Sequence, residues 1–196
     1  MKRCKLLVYG LSLVMILFAS AIAANSSQAA AKEEIEQQRV DIRKMADNTL
    51  ERLYKTQPTA KKAIEKSAGY AVFSNFGMKI LVLGGGSGKG IAVYSKSKKE
   101  VFMKMVELQA GLGMGIKKFR LIWVFENQSD LDNFVNSGWE FGGQGTVAAQ
   151  ASGEGGSFAG AMSVTTGVWL YQLTDDGLAL ELTAKGTKYY KDDKLN

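Results

Sequence analysis

Gly84-Gly85-Gly86-Ser87-Gly88-Lys89-Gly90 lies between two apolar, β-like runs. It has the look of a phosphate loop, and its reading decides the fold. A P-loop needs Gly, four residues, then Gly-Lys-Ser/Thr, and must open a helix whose free N–H groups hold phosphate. Counting back from Gly88-Lys89, the first Gly falls on Leu83. Gly90 follows the lysine and offers no hydroxyl, and Ile91-Ala92-Val93-Tyr94-Ser95 reads as a strand. The dinucleotide pattern G-x-G-x-x-G fails as well, because Gly86, Gly88 and Gly90 recur every second residue. The run is therefore expected to be a flexible bend at a sheet edge or a close backbone approach between strands. Nucleotide chemistry is set aside, and Lys89 is kept as a candidate headgroup contact.

The chain begins with a targeting pattern. Lys2, Arg3 and Lys5 precede an apolar stretch from Leu6 to Phe18, and Ala19-Ser20-Ala21-Ile22-Ala23 offers small residues for cleavage. Residues 1–23 are read as a signal peptide, with Ser27-Gln28-Ala29 as a second cleavage site. The apolar stretch is short of the roughly 20 residues of a membrane span, and an uncleaved anchor is the alternative. Cys4, the one cysteine, precedes the apolar stretch, so a lipoprotein is not expected. The expected location is the periplasm.

Cleavage after Ala23 removes three positive charges, and the formal charge falls from +6 to +3. That balance gives no reason to expect nucleic acid as a partner, which calls for a strongly basic face. It leaves room for attraction to anionic lipid, at about 1 kcal/mol per well-placed cation. The remaining chain has neither histidine nor cysteine. Disulfides, thiol nucleophiles, histidine-assisted serine catalysis and most zinc sites fall away. No cofactor and no enzymatic activity are expected. Asp175 and Asp176 belong to a hairpin signal rather than a metal site. Glu140 and Glu154 are the one carboxylate pair considered for hydrolysis, and no pattern places them together.

Residues 24–31 read as a disordered lead-in, and residues 32–196 as a single domain with a helical part at 32–68 and a β-rich part at 69–190. In the helix over 32–55, Ile42, Met45, Ala46, Thr49, Leu50 and Leu53 recur at three- and four-residue steps. Pro58 suits the first position of a second helix, with Ala60, Ala63, Ile64 and Ser67 on its buried side and Gly69 as its cap. Beyond Gly69, β-formers and glycines dominate. Strands are expected at 70–74, 79–83, 90–95, 101–108, 119–125, 145–150, 159–165, 168–173, 178–182 and 187–190, with turns at 75–77, 96–99, 153–156 and 174–177. Thr174-Asp175-Asp176-Gly177 ends in Asp-Gly, a strong hairpin signal. A third helix is expected between Ser129, as its cap, and Gly138, burying Leu131, Phe134 and Val135. The prediction is an α+β fold: N-terminal helices packed on a Gly-rich antiparallel β-barrel or strongly curled sheet. Glycines alternating at Gly111, Gly113 and Gly115, and small residues at 146–149 and 159–161, imply either tight packing or a groove for an acyl chain or ring.

Ala63-Ile64-Glu65-Lys66-Ser67-Ala68-Gly69-Tyr70-Ala71-Val72-Phe73 resembles the entry segment of the SYLF, or Ysc84-like, family, with Ser74 where many members carry proline. The likeness continues through Gly84–Gly90, Gln109-Ala110-Gly111-Leu112-Gly113-Met114-Gly115, and Trp123-Val124-Phe125-Glu126-Asn127 with Leu131 to Phe134. It goes on through Trp139-Glu140-Phe141-Gly142-Gly143 and closes at Gly177 to Leu182 and Gly186-Thr187-Lys188. It covers roughly residues 60 to 190. Glu181 departs from the small residue common in the last strand. The resemblance implies a lipid-binding module rather than an enzyme. For an exported member it implies phospholipid or a membrane surface as the partner.

Two basic clusters could seat an anionic headgroup. Lys61, Lys62 and Lys66 share a helix near Arg52 and Lys55. Lys117, Lys118 and Arg120 lie beside Phe119. The bland alternatives are a solvated helix face and an ordinary strand entry. Lys96, Lys98 and Lys99 read as a solubilising turn, and Trp123, Trp139 and Trp169 as core. A second functional reading is an envelope protein that pairs with a protein partner through the 32–55 helix.

Overall fold

The computed structural model describes residues 30–80, 83–110, 115–138, 140–141, 150–151, 158–174, 177–179 and 187–196. The expected signal peptide, residues 145–149 of the strand expected at 145–150, Gly111, Gly113, Asp175, Asp176 and Trp139 lie outside them. The chain divides into compact units at 1–40 and 41–196, and the boundary falls within the first helix. That helix, α1, covers 30–56, so it begins inside the expected lead-in. Over 30–40 it is tied by its own side chains, Gln38 donating to Glu34 and Arg39 pairing with Glu36.

Helix α2 is Thr59–Lys66, with Pro58 at the N-cap position rather than in the first turn. Its C-terminus is closed by Ser67, whose hydroxyl donates to the Ile64 carbonyl at 2.7 Å. Gly69, expected as that cap, instead opens the sheet. It is glycine for packing: a Cβ there would press on the Val93 carbonyl and on Leu131 Cδ2.

Ten strands form one antiparallel sheet. They are β1 Gly69–Ile80, β2 Leu83–Tyr94, β3 Glu100–Ala110, β4 Gly115–Phe125, β5 Glu140–Phe141, β6 Gln150–Ala151, β7 Met162–Thr165, β8 Val168–Thr174, β9 Gly177–Ala179 and β10 Thr187–Lys191. The order is β5-β10-β3-β2-β1-β4-β8-β7-β6, with β9 hairpinned onto β8 through Thr174 and Gly177, where the Asp-Gly signal placed a turn. The sheet is antiparallel and strongly curled, and the fold is α+β. Antiparallel alternation makes β5 and β6, at opposite ends of this order, run in the same direction. Phe141 and Gln150 are nine residue steps apart, and nine extended residues reach about 30 Å. The two ends of a strand order this long are thus tethered within a short span, which a flat sheet would not satisfy.

The glycine run is not a bend, and it is not at an edge. It lies wholly within β2, which pairs with β1 from Gly69↔Tyr94 to Ile80↔Leu83 and with β3 on its other side. Asn75-Phe76-Gly77, expected as a turn, lies inside β1, and of the strand expected at 79–83, Lys79 and Ile80 end β1 and Leu83 begins β2. Glycine misled here because a central strand with bulky neighbours needs bare backbone. The close-approach reading holds at two positions. A Cβ on Gly90 would meet the Phe73 ring and the Val72 carbonyl, and one on Gly88 would meet Met105 Cγ at 2.6 Å and the Ser74 carbonyl.

Residues directly opposite one another in antiparallel strands share a face. One face carries Phe73, Met103, Met105, Leu121, Trp123, Phe125 and Tyr189 against Leu131, Phe134 and Val135 of α3, Gln128–Asn136. The third helix thus buries the three residues expected of it, and Gly138 follows it at φ +65°. Its N-cap is Asn127, not Ser129, and Asn127 Nδ2 donates to Asp130. On the opposite face a row of apolar residues crosses five strands: Tyr171, Ile122, Val72, Ile91 and Phe102. All five are buried, as are Ile42, Ala46, Leu50 and Leu53 of α1 and Ala60, Ala63 and Ile64 of α2. Arg43 stands over the Phe102 ring at 5.2 Å and pairs with Glu100 at 2.8 Å, while Arg52 donates to the Thr174 carbonyl. The second half of α1 therefore crosses this face from β3 to β8.

Among the described residues the Tyr171 hydroxyl is buried without a hydrogen-bond partner, and burial pushes its pKa up to about 12. A buried, unsatisfied hydroxyl is costly. Tyr171→Phe is expected to raise stability by about 1 kcal/mol in urea unfolding at neutral pH. The folded protein also holds this proton more tightly than the unfolded chain, whose tyrosines ionise near pH 10. Stability should thus fall as pH rises from about 10 to about 12, less steeply in Tyr171→Phe. A lower midpoint for the variant at pH 7 would refute the assignment.

Candidate functional site

Directly beyond the buried apolar row, two residues further along each strand, the same face changes character. Arg120 of β4 lies opposite Ser74 of β1, Ser74 opposite Lys89 of β2, Lys89 opposite Lys104 of β3, and Lys104 opposite Tyr190 of β10. Strand spacing puts neighbours in this row about 4.8 Å apart, and the row lies roughly 7 Å from the apolar one. An open groove of about 470 Å³ is lined here by Ser74, Ser87, Gly88, Lys89, Lys104, Met105, Val106 and Tyr190. Val106 is one of two large apolar side chains left exposed among the described residues.

Two of the cations, Arg120 and Lys104, are held by described neighbours. An Arg120 Nη1 N–H donates to Ser74 Oγ, bending the guanidinium over the small residue beside it. Lys104 Nζ pairs with Asp192 at 2.7 Å, and the Asp192 side chain is 3 % exposed. Asp192 is fixed in turn: its N–H donates to the Phe102 carbonyl, and Asn196 Nδ2 bonds both that carbonyl and the Asp192 carbonyl. Lys89 projects from the glycine-rich strand and is exposed.

The other expected residues stand elsewhere. Lys61, Lys62 and Lys66 are exposed on α2, opposite its buried Ala60, Ala63 and Ile64. Lys66 borders a separate recess of about 360 Å³, with Ser67, Tyr94, Lys96, Glu126 and Asn127 among its lining. That recess is at the Gly69 end of β1, five residues and about 17 Å from Ser74. The structure thus brings Lys89 and Arg120 together and sets Lys66 in a recess apart from them. Lys118 pairs in register with Phe76 and Lys117 with Gly77, and their side chains lie outside the description. Ser74, Lys104 and Tyr190 were not picked out from the sequence. For Lys104 a signal exists: it stands alone among Val101, Phe102, Met103 and Met105 in an otherwise apolar strand start.

The remaining polar groups read as structural. The Tyr94 hydroxyl donates to Asp132 at 2.7 Å, and burial together with that carboxylate lifts its pKa to about 12. Trp123 is core, as expected, packed on Phe134 and Tyr189. Trp169 is only half-buried, stacked on Phe158 at 4.5 Å and donating to Glu126. Among the described residues no group of histidine, cysteine, aspartate or glutamate could hold a metal ion. No helix among them is long and apolar enough to cross a membrane.

No protein-family profile matches the chain. It is similar to beta cell expansion factor A of Aeromonas veronii. The two are 36 % identical over 159 residues, 80 % of this chain. The chain spans 58 % of the length of that relative.

Proposed function

We propose that this chain is an exported, periplasmic, non-catalytic lipid-binding protein that contacts anionic phospholipid through the open half of its sheet. The observation that carries the reading is the row Arg120, Ser74, Lys89, Lys104 and Tyr190, on the stretch of sheet face that follows the helix-covered row. Exposed Val106 beside it adds apolar surface at the same place. The likeness of residues 60–190 to Ysc84-like lipid-binding domains and the leader pattern support it. The lack of histidine and cysteine after Cys4 favours binding over catalysis.

The rival reading, a protein partner held by the 32–55 helix, has less to stand on. Its apolar stripe at Ile42, Ala46, Leu50 and Leu53 is already buried. The test is co-sedimentation of the purified protein with anionic phosphatidylglycerol vesicles and neutral phosphatidylcholine vesicles at two salt concentrations. Binding is expected to the anionic vesicles, weakening with salt. Lys89→Gln and Arg120→Gln should each lower the partition about fivefold, the factor set by about 1 kcal/mol per surface cation. No sedimentation with any vesicle would remove this reading.

A further inference from the structure

We infer that the recess bordered by Lys66, Lys96 and Glu126 seats one small zwitterion, an anionic group joined to a primary ammonium. The site is separate from the row between Arg120 and Tyr190, and either can fail without the other.

Three chain segments build the recess: the end of α2, the turn between β2 and β3, and the start of α3. Backbone hydrogen bonds fix them to the sheet and to one another. The Ala68 N–H donates to the Phe125 carbonyl at 2.8 Å, and the Ser95 N–H donates to the Ala68 carbonyl at 2.9 Å. The turn is closed by the Lys98 N–H on the Tyr94 carbonyl, and α2 ends on Ser67. The volume, about 360 Å³, is at the small end of the range for ligand sites, roughly 300–1,000 Å³. It suits a headgroup or an amino acid rather than a whole lipid.

Charges of both signs line this space without meeting. Lys66, Lys96 and Glu126 all border it and are exposed, and none of them forms an ion pair with a described residue. Their charged neighbours are already engaged. Asp132 accepts the Tyr94 hydroxyl, Lys99 Nζ lies 5.7 Å from the centre of the Tyr94 ring, and Asp130 accepts from Asn127 Nδ2. Trp169 Nε1 holds one Glu126 oxygen, Oε2, and a bond from a neutral donor leaves the carboxylate charge in place. A purely anionic ligand would be repelled by Glu126, and a purely cationic one by the two lysines. A zwitterion answers both. Its anionic oxygens accept from the lysine ammonium groups, and its own ammonium donates to Glu126.

The same chemistry occurs in the headgroup of phosphatidylethanolamine and in free amino acids. Titrations of the full protein, followed by backbone amide shifts, separate the two. The probes are glycerophosphoethanolamine, glycine, glycerophosphoglycerol (the phosphodiester without the ammonium) and ethanolamine (the ammonium without the anion). One saturable set of shifts is expected at residues 66–68, 94–97 and 126–128. Glycerophosphoethanolamine should bind at least about tenfold more tightly than glycerophosphoglycerol or ethanolamine, the factor set by one charge-assisted hydrogen bond. Glu126→Gln keeps an acceptor for Trp169 and removes the charge, so it should reduce glycerophosphoethanolamine to the affinity of glycerophosphoglycerol. Lys66→Gln and Lys96→Gln should each weaken glycerophosphoethanolamine about tenfold. Lys89→Gln, on the other row, should leave it unchanged. Glycine binding as tightly as glycerophosphoethanolamine supports the seat and assigns it to amino acids. Equal affinity for the two phosphodiesters, parental binding in Glu126→Gln, or no saturable shift with any probe overturns the seat. Sedimentation with anionic vesicles is a separate result, and the lipid reading stands or falls on it alone.

Discussion

Phe134→Ala is expected to cost the protein about 4 kcal/mol of stability. Phe134 comes from α3, yet its ring centroid lies 5.0 Å from Phe125, 5.2 Å from Tyr189, 5.7 Å from Trp123 and 6.1 Å from Phe73. Those partners come from β4, β10 and β1, so one ring fastens α3 to three strands. It is 1 % exposed. Truncating a buried phenylalanine removes its transfer energy and leaves a cavity, together about 3–5 kcal/mol. The tilted and edge-on ring pairs add to that loss. At about 2 kcal/mol per molar urea, the unfolding midpoint should drop by about 2 M. Phe134→Leu keeps most of the volume and should cost about 1–2 kcal/mol. An alanine variant within about 1 kcal/mol of the parent would show that the helix does not close the core in solution.

Gly90→Ala is the second large effect, expected at about 3 kcal/mol for the addition of one methyl group. The new Cβ would press on the Val72 carbonyl and on Phe73 Cδ1, with Phe73 Cγ at 2.7 Å. The carbonyl belongs to the strand paired with β2, so the backbone cannot retreat without loosening the β1–β2 ladder. The ring is fully buried and held edge-on to Tyr189 at 4.9 Å, so it has no free rotamer to take. Overpacking of this kind costs about 1–3 kcal/mol and sometimes more. In thermal unfolding the expected shift is about 6–12 °C. Adding Phe73→Leu to Gly90→Ala should recover part of the loss, because the two changes share one volume. Unchanged unfolding in Gly90→Ala would mean that the Gly84–Gly90 run is glycine-rich for a reason other than packing.

The two variants show where reading the chain succeeded. Leu131, Phe134 and Val135 were legible as a buried stripe because helical periodicity reports burial from local spacing. The strands at Val101–Leu108 and Phe119–Phe125 were legible as runs of β-forming residues, and the hairpin joining Thr174 to Gly177 from its Asp-Gly signal. Gly84–Gly90 was misjudged as a bend because glycine promises freedom locally, whereas its use here depends on Phe73 and Met105 arriving from other strands. Ser129 and Gly69 were misjudged as caps because Asn127 and Ser67, next door, have equally suitable side chains and the chain geometry chose them.

The candidate site divides in the same way. Lys89 and Arg120 were visible as basic residues beside β-forming runs, and they lie 31 positions apart. Ser74, the residue that joins them, carried no signal, because nothing in a single strand tells which neighbours it will have. The α2 lysines drew equal attention from the sequence, and the structure sets Lys66 beside the Gly69 end of β1, some 17 Å of strand from Ser74. By itself the amino-acid order determined the elements, the α+β class and the exclusion of thiol and histidine chemistry, all of which depend on residue type and on spacings of a few positions. Which cations face one another, on which side of the sheet and beyond the edge of which helix was decided by strand register. Register is a matter of long-range packing: sliding a strand by one residue would turn its whole polar set to the other face.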